Sequence, residues 1–163
     1  MGRFRHIEFV IIIRSPITSD EWLKYDDFRW EILRKPLKLS HIPLKDTLED
    51  DSTHMMALDD QDKVIACGRV HMNNINEAQI RYMGVSLEHR RIGLGSKMID
   101  KLEDIAKTKG AKKIVLNARA EAIKFYESLG YIETGPYESD IKIPHSSMAV
   151  SYTHLTLPTI RSV

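Results

Sequence analysis

The stretch MGVSLEHRRIGLGSKMIDKLE, residues 83–103, leaves an apolar strand-like run, crosses two arginines and two glycines, and enters an amphipathic helix. Leu94, Met98, Ile99, Leu102, Ile105 and Ala106 fall on one helical face, and Gly110 supplies the stop. The first turn of such a helix carries backbone amides without partners, at the electropositive end of the aligned peptide dipoles. Gly93 and Gly95 leave room for an anion to approach the main chain, while Arg90 and Arg91 add charge and donors. The residues alone leave two readings open, a phosphate cradle or a plain loop-to-helix junction with solvated arginines. A P-loop needs Ser or Thr after Lys97, where Met98 stands, and a dinucleotide fingerprint needs a third glycine at that same position.

Working outward, the chain before this junction is rich in short strands. Glu8 to Arg14 (EFVIIIR) reads as a buried strand. Thr18 with Glu21 makes a capping box, after which Trp22, Tyr25, Phe28 and Ile32 predict a helix that breaks at Pro36. Residues 37–51, with Pro43 and the acidic LEDD, read as a loop with at most a short helix. Strands over His54 to Leu58, Val64 to Met72 and Gln79 to Val85, joined by polar turns, predict an antiparallel meander. After the junction helix come a short strand at Ile114 to Leu116 and a helix marked by Ala122, Phe125, Tyr126 and Leu129. Further strands follow at Tyr131 to Glu133 and Ser147 to Val150. This order predicts an α/β (α+β) domain with a mixed, mostly antiparallel sheet flanked by helices.

The 163 residues suit one domain, expected over residues 1–150. A 42% hydrophobic and 29% charged composition excludes general disorder, and a net charge of +1 provides no field for nucleic acid or membrane. Anion recognition must therefore be local. No run of about twenty apolar residues is present to cross a bilayer. The start, MGRFRHIEFVIIIRS, lacks a small-residue cleavage site, so a cytoplasmic protein is expected. The lone Cys67 in KVIACGRV reads as a small buried hydrophobe. VSYTHLTLPT, residues 150–159, resembles the conceptual translation of a transposon-type sequencing adapter, and residues 151–163 are expected to be a non-native tail.

Residues 83–103 resemble the acetyl-coenzyme A motif of the GNAT superfamily of N-acetyltransferases, Gln/Arg-x-x-Gly-x-Gly/Ala, at Arg90, Gly93 and Gly95. The preceding meander and the following AIKFYESLGYIETG are similar in order and spacing, so the resemblance spans about Phe9 to Ala149. The ending YESDIKIPHSSM further resembles a small branch of that family with an Ile-Pro-His segment. The resemblance implies a GNAT-like fold and transfer of an acetyl group from acetyl-CoA to a primary amine, on a small molecule or a peptide. It implies that the amides of Arg91, Ile92, Gly93, Leu94, Gly95 and Ser96, with Arg90, hold the pyrophosphate. Met83 and Val85 would pair with the pantetheine arm, Gly84 would accommodate a bulge, Asn117 would contact the arm, and Tyr126 would protonate the departing thiolate. The family often has asparagine where Arg119 stands here.

Attack on a thioester needs a neutral amine, hence a proton acceptor. Glu31, His71, Glu77 and His145 have suitable chemistry, and the sequence singles out none of them. The seven histidines show no metal-ligand spacing, so no metal is expected. Lys107, Lys109, Lys112 and Lys113 read as a solvated helix end. A monomer or homodimer is expected. A noncatalytic module that binds acyl-CoA or a partner protein stays open as the alternative, with a nucleotide-phosphate binder behind it.

Overall fold

Thr18 accepts a hydrogen bond from the Glu21 amide at 3.1 Å, and the Glu21 carboxylate accepts from the Thr18 amide at 3.4 Å. This reciprocal cap starts helix α1, Ser19–Leu33, as the spacing predicts. The protein is described here by a computed structural model that covers residues 10–38, 43–139 and 143–152. Strands β1 (Ile12–Arg14), β2 (Thr53–Leu58), β3 (Val64–Met72) and β4 (Glu77–Val85) precede helix α2, Leu94–Thr108. Strand β5 (Lys113–Arg119), helix α3 (Ile123–Ser128) and strands β6 (Ile132–Tyr137) and β7 (His145–Ser151) complete the order.

One seven-stranded sheet runs β1-β2-β3-β4-β5-β7-β6, and only the central β4–β5 pair is parallel. The mixed, mostly antiparallel sheet is therefore as expected. Met56 and Leu58 of β2 pack with Tyr25 and Leu33 of α1, while Ala57 between them packs with Leu94 and Met98 of α2. Successive strand residues point to opposite faces, so the two helices cover opposite sides of the sheet. Ile99, Leu102 and Ala106 extend the α2 core across Ile80, Ile114 and Leu116.

Two expectations shift. The first strand is a short edge, with Ile12 48% exposed, because it pairs with β2 alone. The Glu8 and Phe9 end of the expected strand lies outside the described residues. At the other end, β7 continues through Ser151, paired with Lys113, and the Tyr152 amide bonds to the Lys112 carbonyl at 2.7 Å. Order thus extends past the expected boundary at 150, whereas residues 153–163 lie outside the described set.

Between α1 and the sheet lies a layer of ion pairs absent from the sequence reading. Arg29 of α1 and Arg69 of β3 are fully buried, and Glu49 from the irregular segment binds both. Asp46 accepts two bonds from Arg69, at 2.8 and 2.9 Å, and a further one from Arg81 at 2.9 Å. His54 Nε2–H donates to the Glu49 carbonyl at 2.9 Å, which leaves Nδ1 to accept the Tyr25 hydroxyl at 2.8 Å. Glu49 of the acidic LEDD and Asp46, both in the segment read as a loop, therefore neutralise buried guanidinium groups.

Removing one member of a buried ionic network leaves its partners unpaired in a poorly solvated setting. Glu49→Gln should lower the unfolding free energy by about 3 kcal/mol, read from its urea midpoint; an unchanged midpoint would remove this network from the fold's supports. Hydrogen bonds from Arg69 hold the Asp46 carboxyl down at about 2, below the ordinary carboxylate range. Its contribution is complete above the unfolded value near ~4 and drains away as the pH falls toward the folded one. The wild type should lose stability between pH 4 and pH 2 (roughly the span of that titration), and Asp46→Asn, weaker at the upper pH, should lose less across it.

Candidate active site

β4 and β5 are paired only from Glu77–Gln79 against Lys113–Val115, although the strands continue to Val85 and Arg119. Beyond the paired segment they part, and the wedge between them belongs to a cavity of about 680 Å³. The physical cause lies on the other edge of β4. From Cys67 to Arg69 β3 advances two residues, while β4 advances three, from Arg81 to Gly84. Such a bulge bends the strand and interrupts its ladder. Tyr82 takes the left-handed conformation that this requires, at φ 56°, and the Cys67 thiol donates to its carbonyl at 3.2 Å.

The bulge that Gly84 is expected to accommodate is present and ends at Gly84, but Gly84 does not supply its positive torsion. Its φ is not positive; instead, a Cβ there would stand 2.5 Å from Cγ2 of Ile32. Glycine at 84 permits close approach of α1, and tyrosine carries the strain.

The loop entering α2 supports the cradle reading by its own geometry. Gly93, at φ 82°, is the N-cap of α2, and with no side chain it leaves the first-turn amides without a side-chain acceptor. A Cβ at Gly93 would meet nothing within 4 Å, so the space beside this loop is open. At Gly95 the demand differs, because a Cβ would stand 3.1 Å from Cζ of Phe125 in α3. Arg90 and Arg91 are exposed at the cavity rim, and neither has an ion-pair partner among the described residues.

Most of the expected site converges here. Met83, Gly84, Val85, Arg90, Arg91, Gly93, Gly95, Ser96, Asn117 and Tyr126 all border the cavity. Ile92 and Leu94 do not: Ile92 is 56% exposed elsewhere, and the Leu94 side chain is buried in the core, leaving only main-chain groups to serve a ligand. Asn117 accepts from the Ser147 hydroxyl at 3.0 Å, which fixes its amide. Tyr126 is 8% exposed, and burial pushes its phenol up to about 12. Its hydroxyl has no hydrogen-bond partner among the described residues, and its oxygen is not among the fully buried atoms, so it keeps access to the cavity.

The four candidate proton acceptors separate clearly. Glu31 is exposed and paired with Lys35, and Glu77 is engaged by Asn73 and Lys113. His71 is buried, burial lowers its proton affinity, and its Nε2 faces Asn73; it does not border the cavity. His145 does border it, and its Nδ1–H donates to the Ile143 carbonyl at 2.7 Å. A carbonyl only accepts, so the neutral ring keeps its lone pair on Nε2. Cys67 is fully buried, in keeping with its reading as a small hydrophobe, and burial pushes its thiol up to about 12, which makes it a poor nucleophile. No group of three metal-ligating side chains occurs among the described residues. Arg34, Arg81, Tyr82 and Tyr137 also line the cavity and were missed, since residues brought together from α1, β4 and β6 share no local pattern.

A splayed strand pair beside an open, uncapped helix start has the shape and exposed donors that could take an extended ligand with an anionic end. The model of the acetyltransferase (GNAT) family matches residues 14–131, and this chain belongs to that family. It is 33% identical over 104 residues to the uncharacterized N-acetyltransferase YjcF of Bacillus subtilis, a match covering 63% of this chain and 73% of YjcF. Its fold superposes on an acyl-CoA N-acyltransferase from Pseudomonas aeruginosa with a TM-score of 0.74, at 21% identity, covering 88% of this chain and all of the other. An aminoglycoside 6'-N-acetyltransferase solved with coenzyme A superposes with a TM-score of 0.69 at 16% identity, covering 86% of this chain and 96% of that one.

The packing account of Gly84 is open to a direct check. Gly84→Ala should destabilise the protein by roughly 1–3 kcal/mol through overpacking, and Ile32→Ala in the same chain should recover part of that loss. Additive effects in the double-mutant cycle would show that Ile32 is not the obstacle.

Proposed function

We propose that this chain is an acyl-CoA-dependent N-acyltransferase that passes an acetyl group from acetyl-CoA to a primary amine by direct attack. The observation that carries the reading is the unpartnered hydroxyl of the largely buried Tyr126, on the wall of the cavity that the uncapped start of α2 also borders. The first-turn amides of α2 with Arg90 and Arg91 would hold the pyrophosphate, and main-chain groups of Met83 and Val85 would pair with the pantetheine arm. Asn117, already oriented by Ser147, borders the same channel. The bound thioester supplies an activated acyl carbon; the remaining work belongs to the protein.

His145 Nε2 is the acceptor for the amine's proton, directly or through water, because its tautomer is set by Ile143. As the amine nitrogen bonds to the acyl carbon, the carbon–sulfur bond breaks and Tyr126 delivers its proton to the sulfur. A phenol held at about 12 stays protonated throughout the neutral range, so the acid is present whenever the amine is free to attack. The single unpaired Cys67 fits a reducing compartment, and we place the protein in the cytoplasm.

Calorimetric titration with acetyl-CoA tests the reading. The wild type should bind, and a folded Gly93→Glu/Gly95→Glu protein should not. Tyr126→Phe should keep cofactor affinity while turnover with an accepted amine falls by roughly 10²–10⁴. Because the lost acid does not titrate below about 10, that deficit should be the same from pH 6 to pH 9 (roughly the neutral range). Cofactor binding without transfer to any amine would instead favour the noncatalytic module.

A further inference from the structure

Resting on the acyltransferase reading, we propose that the acceptor is an amine that also carries an anionic group, a carboxylate or a phosphate, bound by Arg34, Arg119 and Arg81. The anchor of this inference is Arg34. It follows the last turn of α1 and is 5% exposed, yet it lines the cavity. Its only side-chain hydrogen bond among the described residues runs from Nη1 to the neighbouring Leu33 carbonyl, at 3.3 Å. Nε is buried with no partner among the described residues. No carboxylate among the described residues pairs with it, in contrast to the fully buried Arg29 and Arg69, each of which has two.

Its surroundings are positive. The Arg34 and Arg81 guanidinium carbons stand 5.7 and 4.9 Å from the centroid of the same Tyr82 ring. Burial lowers the proton affinity of Arg34; the Tyr82 hydroxyl raises it, and the charges of Arg119 and Arg81 lower it further. Arg119 is half-buried on the cavity wall and has no ion pair among the described residues. Arg81 shares the single carboxylate Asp46 with Arg69. The only carboxylate bordering the cavity is the exposed Glu121 among the described residues. A buried guanidinium without a counter-ion is costly, and a ligand anion accepting from it offsets that cost.

The arginines sit on the acceptor side. In chain order β4 runs from Arg81 through the Tyr82 bulge to Met83 and Val85, then into the cradle at Arg90 to Ser96. With the pyrophosphate at the cradle and the arm along Val85 and Met83, the acyl end faces Tyr82 and Arg81. Arg90 and Arg91 therefore serve one anion and Arg34, Arg81 and Arg119 another.

The test is a set of amines that share a two-carbon spacer: ethanolamine, β-alanine, phosphoethanolamine and 1,2-diaminoethane. With acetyl-CoA present, thiol release should show kcat/KM at least tenfold higher for β-alanine or phosphoethanolamine than for ethanolamine. The better of the two anionic amines identifies the group as carboxylate or phosphate. Arg34→Gln should reduce the preference to within twofold with acetyl-CoA affinity retained, and Arg34→Lys should restore part of it. Arg119→Gln, at a half-buried position, should do the same and keeps the test informative should Arg34→Gln misfold. Equal or better use of ethanolamine or 1,2-diaminoethane overturns the proposal. Loss of acetyl-CoA affinity in Arg34→Gln also overturns it, by assigning the arginines to the cofactor's phosphates. If no amine is acetylated, ligand-observed NMR decides: Arg34-dependent binding of an anionic amine upholds the anion site while the transferase reading falls, and its absence overturns both.

Discussion

The site depends on one residue-sized irregularity in the middle of the sheet. Tyr82 occupies a left-handed conformation that costs a side-chain-bearing residue about 1–2 kcal/mol, and that bulge turns β4 out of register with β3. Had β4 continued straight, its parallel pairing with β5 could have run on past Gln79, and the wedge would be filled by ladder hydrogen bonds. The strain is offset locally. Guanidinium groups of Arg29, Arg34, Arg69 and Arg81 all approach the Tyr82 ring, between 4.8 and 5.9 Å from its centroid. Desolvated contacts of this kind contribute about 1–2 kcal/mol each at most, enough together to hold a strained tyrosine in place.

The same ring divides the arginines into two groups. Arg29 and Arg69 are neutralised by Asp26, Asp46 and Glu49, and they tie the irregular segment to α1 and β3. Arg34 and Arg119 have no such partners among the described residues and face the cavity. Burying several cations side by side is tolerable only where anions are interleaved. The structural carboxylates accordingly cluster on one side of Tyr82 and leave the cavity side electropositive.

The resemblance to a known family was legible because its motif is local. Arg90, Gly93 and Gly95 lie within a single short stretch at a helix start, and backbone conformation there is dictated by nearby residues. The capping box at Thr18 and the stop at Gly110 were readable for the same reason. Chemistry drawn from separate elements was not. Nothing near Glu49 in the chain announces that it bridges α1 to β3, and nothing near Arg34 announces a cavity, because these contacts span more than a strand or helix. Gly84 illustrates the limit: a glycine in a strand signals either a bulge or a close approach, and only the position of Ile32 distinguishes the two.

Periodicity, caps and turn residues, then, determined the order and type of the elements and the loop at the start of α2, since those follow from steric and hydrogen-bonding preferences within a few residues. Tertiary structure decided the rest: which face of the sheet each helix covers, that tyrosine rather than glycine carries the bulge, that His145 alone of the four candidate bases borders the cavity, and which arginines lack counter-ions. Each is a matter of contact between residues distant in sequence, settled by where burial can be satisfied at once for apolar side chains and for charge.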